Sequence, residues 1–258
     1  MMLDGRVIVI SGVGPGLGRG LALQCAKAGA DVVLAARTEE RLTEVAKDVR
    51  ALGRRATVVR TDIRDQASCE RLVRETLDAH GHVDGLVNNA FAIPPLQDLL
   101  DVDIAAVRRG FETNVLAALS LTRLFVPSLV ASKGSVVMVN SAVLRHSKAT
   151  FGAYKMAKSA LLALAQGLST ELGPRGVRVN TIAPGWIWAD NLKWYFDLLA
   201  TERGTTSRQV YDETAADIDL RKLPEPDEIA DAAVFLLSSY ARAITGQCLD
   251  VNGGEFHH

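Results

Sequence analysis

Short runs of β-branched and aliphatic residues alternate along the chain with longer stretches whose apolar positions recur every three or four residues. The short runs suit buried strands and the longer stretches suit amphipathic helices. Strands are predicted at Val7–Ile10, Asp31–Ala36, Ala56–Arg60, Val83–Asn88, Ser135–Asn140, Val177–Ile182 and Gln247–Val251. Helices are predicted over Leu17–Ala28, Glu39–Leu52, Ala67–Ala79, Ile104–Leu129, Tyr154–Leu172 and Ile229–Leu237. In the second helix Leu42, Val45, Ala46, Val49 and Leu52 make one apolar stripe. Alternation of this kind implies right-handed crossovers and a parallel sheet covered on both faces, a doubly wound α/β fold. No repeat or long linker divides residues 1–258, so one domain is expected. The stretch from Pro184 to Pro226 breaks the alternation and reads as an irregular insertion on that domain.

Composition narrows the partners. A chain of 258 residues can bury a large core. With 29 Lys and Arg against 30 Asp and Glu, the net charge is −1, which gives no reason to expect nucleic acid or an acidic membrane as partner. Cys25, Cys69 and Cys248 lie too far apart for a C-x-x-C pair or a metal set, and read as small apolar filler. No metal is expected. A reducing, cytoplasmic setting fits. The run Val7–Ile10 is too short for a signal peptide or a membrane span. His257 and His258 are assigned no role.

Candidate chemistry begins after the first strand, at Ser11-Gly12-Val13-Gly14-Pro15-Gly16-Leu17-Gly18. Glycines there let the backbone turn tightly and approach a pyrophosphate, and the helix that follows offers free N–H groups and a positive dipole end. The plain alternative is a tight strand-to-helix loop. At the end of the second strand, where a carboxylate would hold the ribose 2′-hydroxyl of NAD, stand Ala36 and Arg37. An arginine suits a 2′-phosphate and so favours NADP(H) over NAD(H), unless Arg37 only opens a solvated turn. Asp62 and Ile63, past the third strand, are placed to meet the adenine edge; a turn-forming Asp is the other reading. Tyr154 and Lys158 are four apart on a predicted helix and share a face, with Ser141 upstream. A permanent cation beside a phenol should lower its pKa from about 10 and make it an acid–base group for an alcohol or carbonyl oxygen.

Taken in order, the glycine turn, Asn88-Asn89-Ala90, Asn114, Ser141, Tyr154-x3-Lys158 and Pro184-Gly185 give a chain that resembles the short-chain dehydrogenase/reductase family from Gly5 to Gly254. The resemblance implies a single Rossmann-type domain with a seven-stranded parallel sheet, and commonly a homo-oligomer, dimer or tetramer. It implies that Gly12, Gly14, Gly16, Leu17 and Gly18 hold the phosphates, and that Asn88 and Ala90 line the nucleotide site. Asn114 would hold a water leading to the lysine. Ser141 would orient the substrate oxygen and Tyr154 would move the proton. Lys158 would bind the nicotinamide ribose and lower the tyrosine pKa. Pro184, Gly185 and Ile187 would position the nicotinamide. The chain departs from the family's pattern at Phe91, where glycine is usual, and at Ala189, where threonine is common. The first puts a large side chain facing substrate. The second removes one hydrogen bond to cofactor, a cost of about 1 kcal/mol.

Trp186, Trp188 and Trp194 are the only tryptophans, and Tyr195 and Phe196 follow them directly. In the family a substrate lid occupies this place, here residues 184–226. With Phe91, Ile93, Leu144 and Phe151 these aromatics suggest an apolar pocket for a bulky lipophilic alcohol or ketone; the bland reading packs them onto the body or a neighbouring subunit. The activity implied is hydride transfer between NAD(P)(H) and a secondary alcohol or ketone. The alternatives are reduction of a 3-oxoacyl thioester, and a non-catalytic nucleotide-binding sensor or scaffold.

Overall fold

Val7, Ile8, Val9 and Ile10 are at most 1% exposed, as a strand covered on both faces must be. They belong to β1 (Val7–Ser11) of a seven-stranded sheet in the computed structural model, which describes residues 1–257; His258 lies outside the described residues. The other strands are β2 (Asp31–Ala36), β3 (Ala56–Arg60), β4 (Gly85–Asn88), β5 (Ser135–Val139), β6 (Arg178–Pro184) and β7 (Cys248–Val251). Their order is β3-β2-β1-β4-β5-β6-β7, and every pairing is parallel. The chain runs outward from β1 through β2 and β3, then returns to lay β4 on the other side of β1. That reversal is the switch point at which open α/β sheets bind ligands beyond their strand ends.

The helices are α1 (Leu17–Lys27), α2 (Glu39–Ala51), α3 (Gln66–His80), α4 (Ile104–Phe111), α5 (Ala117–Ser132), α6 (Gly152–Leu172), α7 (Asp190–Arg203), α8 (Ser207–Ala216) and α9 (Pro226–Leu237). One core packs Leu21, Leu42, Val45, Ile229 and Leu237 of α1, α2 and α9 on one sheet face. The second packs Leu72, Leu121, Phe125, Leu161 and Leu168 of α3, α5 and α6 on the other.

Two expectations need correction. The long helix predicted from Ile104 is interrupted by a π-helical turn, Glu112–Leu116, between α4 and α5. By length and composition the 29-residue stretch Ile104–Ser132, which holds an 18-residue window of mean hydropathy 1.7, is long and apolar enough to cross a membrane; here Leu121, Phe125 and Leu129 are buried in the second core. The stretch 184–226 is not irregular: it carries α7 and α8. Leu192, Phe196 and Ala200 recur every four residues and meet Val210, Ala215, Ile218 and Leu223 in a small core of this stretch's own. Among the described cysteines all three are free, Cys25 and Cys69 buried and Cys248 half-buried.

Candidate active site

The glycine turn lies at the switch point. Gly12 has φ +76°, and a Cβ there would stand 2.5 Å from the backbone of Ala90, so the loops after β1 and β4 touch through a residue with no side chain. A Cβ on Gly18 would fall 2.5 Å from the Gly12 carbonyl oxygen. Gly16, φ +89°, caps α1, whose first turn has no acidic residue and no side-chain cap. The N-terminal N–H groups of α1 therefore face a glycine cradle, a fit for phosphate. Gly14 differs: a Cβ there meets nothing within 4 Å.

Beside the turn is a cavity of about 290 Å³, lined by Gly12, Val13, Arg37, Arg41, Asp62 and Ala90 among others. Ala36, Thr38, Ile63 and Arg64 also line it. Arg37 and Arg41 are exposed, and Ala36 leaves no carboxylate at the end of β2. Asp62 spends its carboxylate on Arg64, with contacts of 2.9 and 3.2 Å to the guanidinium and 3.0 Å to the Arg64 N–H. The Arg64 hydrogen bond holds that carboxyl below its ordinary value.

Asn88 is not among the residues that line this cavity. Its amide donates to Thr122 Oγ1 on α5 at 3.1 Å. Neighbouring residues at a strand end point to opposite faces, so Asn89 takes the other side. It lines the cavity and donates to the Gly12 carbonyl at 2.8 Å. Strand alternation was the signal that could have singled out Asn89.

Asn114 sits in the π-helical turn, 2% exposed. Its amide nitrogen donates to the carbonyls of Ala92 (2.7 Å) and Gly110 (2.8 Å), and its amide oxygen accepts from the Ala92 N–H at 3.2 Å. The side chain thus clamps the loop after β4, and all its polar atoms are engaged by backbone.

Ser141, Tyr154 and Lys158 do come together. Ser141 begins a one-turn helix, Ala142–Arg145, where its hydroxyl accepts from the Val143 N–H at 3.2 Å. It also hydrogen-bonds Tyr154. Asn140, which the sequence reading passed over, braces the set: its amide donates to the Lys158 carbonyl at 3.0 Å and accepts from the Ser141 N–H at 3.0 Å. Lys158 is 2% exposed, and its Nζ donates to the Val139 carbonyl at 2.9 Å. That Nζ lies 5.7 Å from the Tyr154 ring centre and 5.8 Å from that of Phe91.

The electrostatics differ from expectation. Burial pulls the Lys158 ammonium down to about 7, because no carboxylate accompanies it, so it is not a permanent cation. Burial pushes the Tyr154 phenol up to about 12, and the Ser141 hydrogen bond pulls it partway back. In this structure desolvation outweighs the tuning expected from the lysine.

Phe91 is 54% exposed and lines the cavity beside the glycine turn, its ring centre 5.8 Å from Lys158 Nζ. Leu144 and Phe151 are half-buried. Phe151 also lines a second cavity of about 730 Å³ with Leu99, Phe111, Lys155 and Met156. The tryptophans are corrected in part. Trp188 packs into the lid, its ring centre 4.7 Å from Tyr211 and 5.5 Å from Phe196, and Trp186 lies 6.2 Å from Phe196. Trp194 stands at the surface of α7, 67% exposed. Pro184 ends β6, and Gly185, Trp186 and Ile187 follow it half-buried. Ala189 caps α7 without a side-chain hydrogen bond, and its Cβ lies 3.2 Å from where a Gly16 Cβ would stand. Among the described residues no three His, Cys, Asp or Glu side chains converge to hold a metal.

The sheet order, the glycine cradle at its switch point and the Ser–Tyr–Lys set define a nucleotide-binding oxidoreductase of the doubly wound α/β class. Residues 12–255 match a family model described as enoyl-(acyl carrier protein) reductase. The chain is 37% identical to an uncharacterized oxidoreductase of Mycobacterium tuberculosis (strain CDC 1551 / Oshkosh), over 98% of this chain and 92% of that one. It is 30% identical to a solved 7 alpha-hydroxysteroid dehydrogenase complexed with NADH and 7-oxo glycochenodeoxycholic acid, TM-score 0.87, covering 98% and 94%. It is 28% identical to the L-sorbose reductase from Gluconobacter frateurii complexed with NADPH and L-sorbose, TM-score 0.94, covering 100% of both chains. The chain belongs to the short-chain dehydrogenase/reductase family, pyridine-nucleotide-dependent oxidoreductases of alcohol and ketone groups.

Proposed function

We propose that this enzyme interconverts a bulky lipophilic secondary alcohol and its ketone, with Tyr154 moving the proton and NADP(H) preferred. The observation that carries the chemistry is the meeting of half-buried Ser141 and Tyr154 with the buried Lys158. A bound nucleotide supplies or takes the hydride. Gly12, Gly14, Gly16, Leu17 and Gly18 hold its phosphates, Arg37 its 2′-phosphate with Arg41 beside it, Asp62 and Ile63 its adenine edge, and Ala90 the middle. Pro184, Gly185 and Ile187 hold the nicotinamide end, and Lys158 the ribose. Ser141 orients the substrate oxygen. In reduction the neutral Tyr154 gives its proton to that oxygen; a phenol near 12 is neutral across the physiological range. In oxidation the tyrosinate form of Tyr154 takes the alcohol proton and becomes the neutral phenol; a charged Lys158 beside it favours that tyrosinate.

Substrate bulk is supported by the large apolar side chains of Phe91, Leu144, Phe151 and Trp186, none of them fully buried. The hydroxysteroid relative points the same way and the sorbose relative the other. The test sets wild type and Tyr154→Phe against alcohols and ketones graded by size, with NADPH and NADH. Tyr154→Phe should lose about a hundredfold or more in turnover, the scale of general acid–base catalysis, while nucleotide binding holds. Wild-type rates in the variant would end the assignment, and better activity on small polar sugars would end the claim of bulk. Arg37→Ala should weaken NADPH about tenfold, as losing a charged hydrogen bond does, and leave NADH unchanged; equal effects on both would refute the NADP preference.

A cytoplasmic homo-oligomer, with no membrane or nucleic-acid partner, completes the proposal. Ile104, Leu116 and Met156 are exposed on α4, the π-helical turn and α6, where a second copy would cover them. A monomer mass by light scattering would remove that part.

A further inference from the structure

The C-terminal tail ends against the root of the lid. Gly253 and Gly254, with φ +69° and +89°, turn the chain back after Asn252. Asn252 holds that turn, its amide oxygen accepting from the Gly254 N–H at 2.9 Å and its amide nitrogen donating to the Phe256 carbonyl at 3.1 Å. The Gly253 carbonyl accepts from the Leu220 N–H at 3.1 Å, and a Cβ on Gly254 would stand 2.6 Å from Asp219. His257 contacts Asp219 at 2.9 Å. On the other side the Phe256 ring lies 5.2 Å from that of His146, five residues past Ser141. The tail therefore touches both walls of the substrate end.

Between these contacts stands Glu255. A Cβ on Gly185 would lie 2.4 Å from Glu255 Oε2, so only glycine lets the carboxylate approach there. The next residue, Trp186, faces the same carboxylate with its backbone N–H and its indole N–H. Two donors aimed at one carboxyl are both served when both oxygens can accept.

We propose that Glu255 is a positioning residue: its carboxylate, delivered by the tail, holds the Gly185–Trp186 turn and through it the nicotinamide end of the nucleotide. This rests on the reading that Pro184, Gly185 and Ile187 face the nicotinamide. The hold depends on pH. Burial pushes the Glu255 carboxyl up to about 7, Asp217 adds to the rise, and the Trp186 hydrogen bonds and Lys148 oppose it. Asp219 and His257 flank the same tail, and His146, held below its ordinary value by burial, Lys155 and Lys148, lies behind Phe256. Above pH 7 both Glu255 oxygens accept; below it one carries a proton and the turn loses a partner.

The test titrates NADPH and NADH into wild type, Glu255→Gln and Glu255→Asp from pH 5.5 to 8.5, reading dissociation constants from protein fluorescence. The variant-to-wild-type ratio at each pH cancels the titration of the nucleotide's own phosphates. At pH 8.5 the Gln variant should bind both nucleotides roughly tenfold more weakly, the scale of a charged hydrogen bond lost. At pH 5.5 the ratio should fall toward one, and Asp should restore part of the loss. Melting separates holding from folding. A carboxyl raised in the folded state costs stability as pH climbs from its ordinary value through 7, so the Gln variant should gain melting temperature relative to wild type across that range. Higher melting with weaker binding is the expected signature. A ratio of one at pH 8.5, a ratio that ignores pH, or a loss confined to NADPH would overturn the proposal. If wild type binds neither nucleotide, the functional reading itself falls.

Discussion

Lys158 is the side chain whose surroundings most change its chemistry. Read from spacing alone it is a cation four residues from a phenol. Folded, it is enclosed with one carbonyl partner, Val139, and two aromatic rings, and burial brings its pKa from 10.5 to about 7. Between those values the folded protein sheds a proton that the unfolded chain keeps. Stability therefore rises with pH from about 7 toward the ordinary lysine value, by up to about 1.4 kcal/mol per pH unit from this group. Lys158→Met should remove that slope. Chemical denaturation of both proteins at pH 7 and 9.5 measures it, and parallel slopes would mean that the buried lysine titrates normally. The residue types of the catalytic set were legible in the chain. Their electrostatic state was not, because it depends on side chains and carbonyls brought from β5 and from the loop after β4.

The glycine turn belongs to the scale of elements. It carries four glycines before and inside the start of α1, but they are not equivalent. Gly12 needs a left-handed backbone and touches Ala90, whereas Gly14 faces open space. Gly12→Ala should destabilise by about 1–3 kcal/mol, through overpacking and a disfavoured φ, and weaken nucleotide binding. Gly14→Ala should stay within about 0.5 kcal/mol of wild type, as a substitution without contacts does. Matched denaturation curves and nucleotide titrations compare them, and equal damage from both would contradict the close approach of the β1 and β4 loops. The pattern of apolar positions placed the seven strands to within a residue or two. It missed the π-helical turn because Glu112–Leu116 keeps helical composition, and the extra residue shows only in where Asn114 points. It also missed α7 and α8, whose apolar residues face one another instead of the sheet.

Across the whole molecule the hydrophobic interior divides unevenly. Two cores sandwich the sheet, and a third, built from Leu192, Phe196, Ala200, Val210, Ala215, Ile218 and Leu223, belongs to the lid. A small separate core opens at lower free energy than a large one. Amides of α7 and α8 should therefore exchange with solvent faster than those of β1, β4 and β5. Hydrogen exchange followed by mass spectrometry measures this, and equal protection would mean that lid and sheet unfold together. The tail bears on the same point, since Glu255 and Gly253 tie it to the lid at Trp186 and Leu220.

Local order along the chain was enough to establish the α/β alternation, the glycine turn, the Ser–Tyr–Lys spacing and the family, because each is written in residues a few positions apart. Strand order, the turning of Asn88 toward Thr122 while Asn89 takes the side of the glycine turn, the packing of Trp188 against Tyr211 and Phe196 and the lowered pKa of Lys158 came from folding alone. So did the approach of Glu255 to Gly185 across 70 residues of sequence. These features rest on contacts between segments far apart in the chain and on the water those contacts exclude, and neither quantity has a local signature.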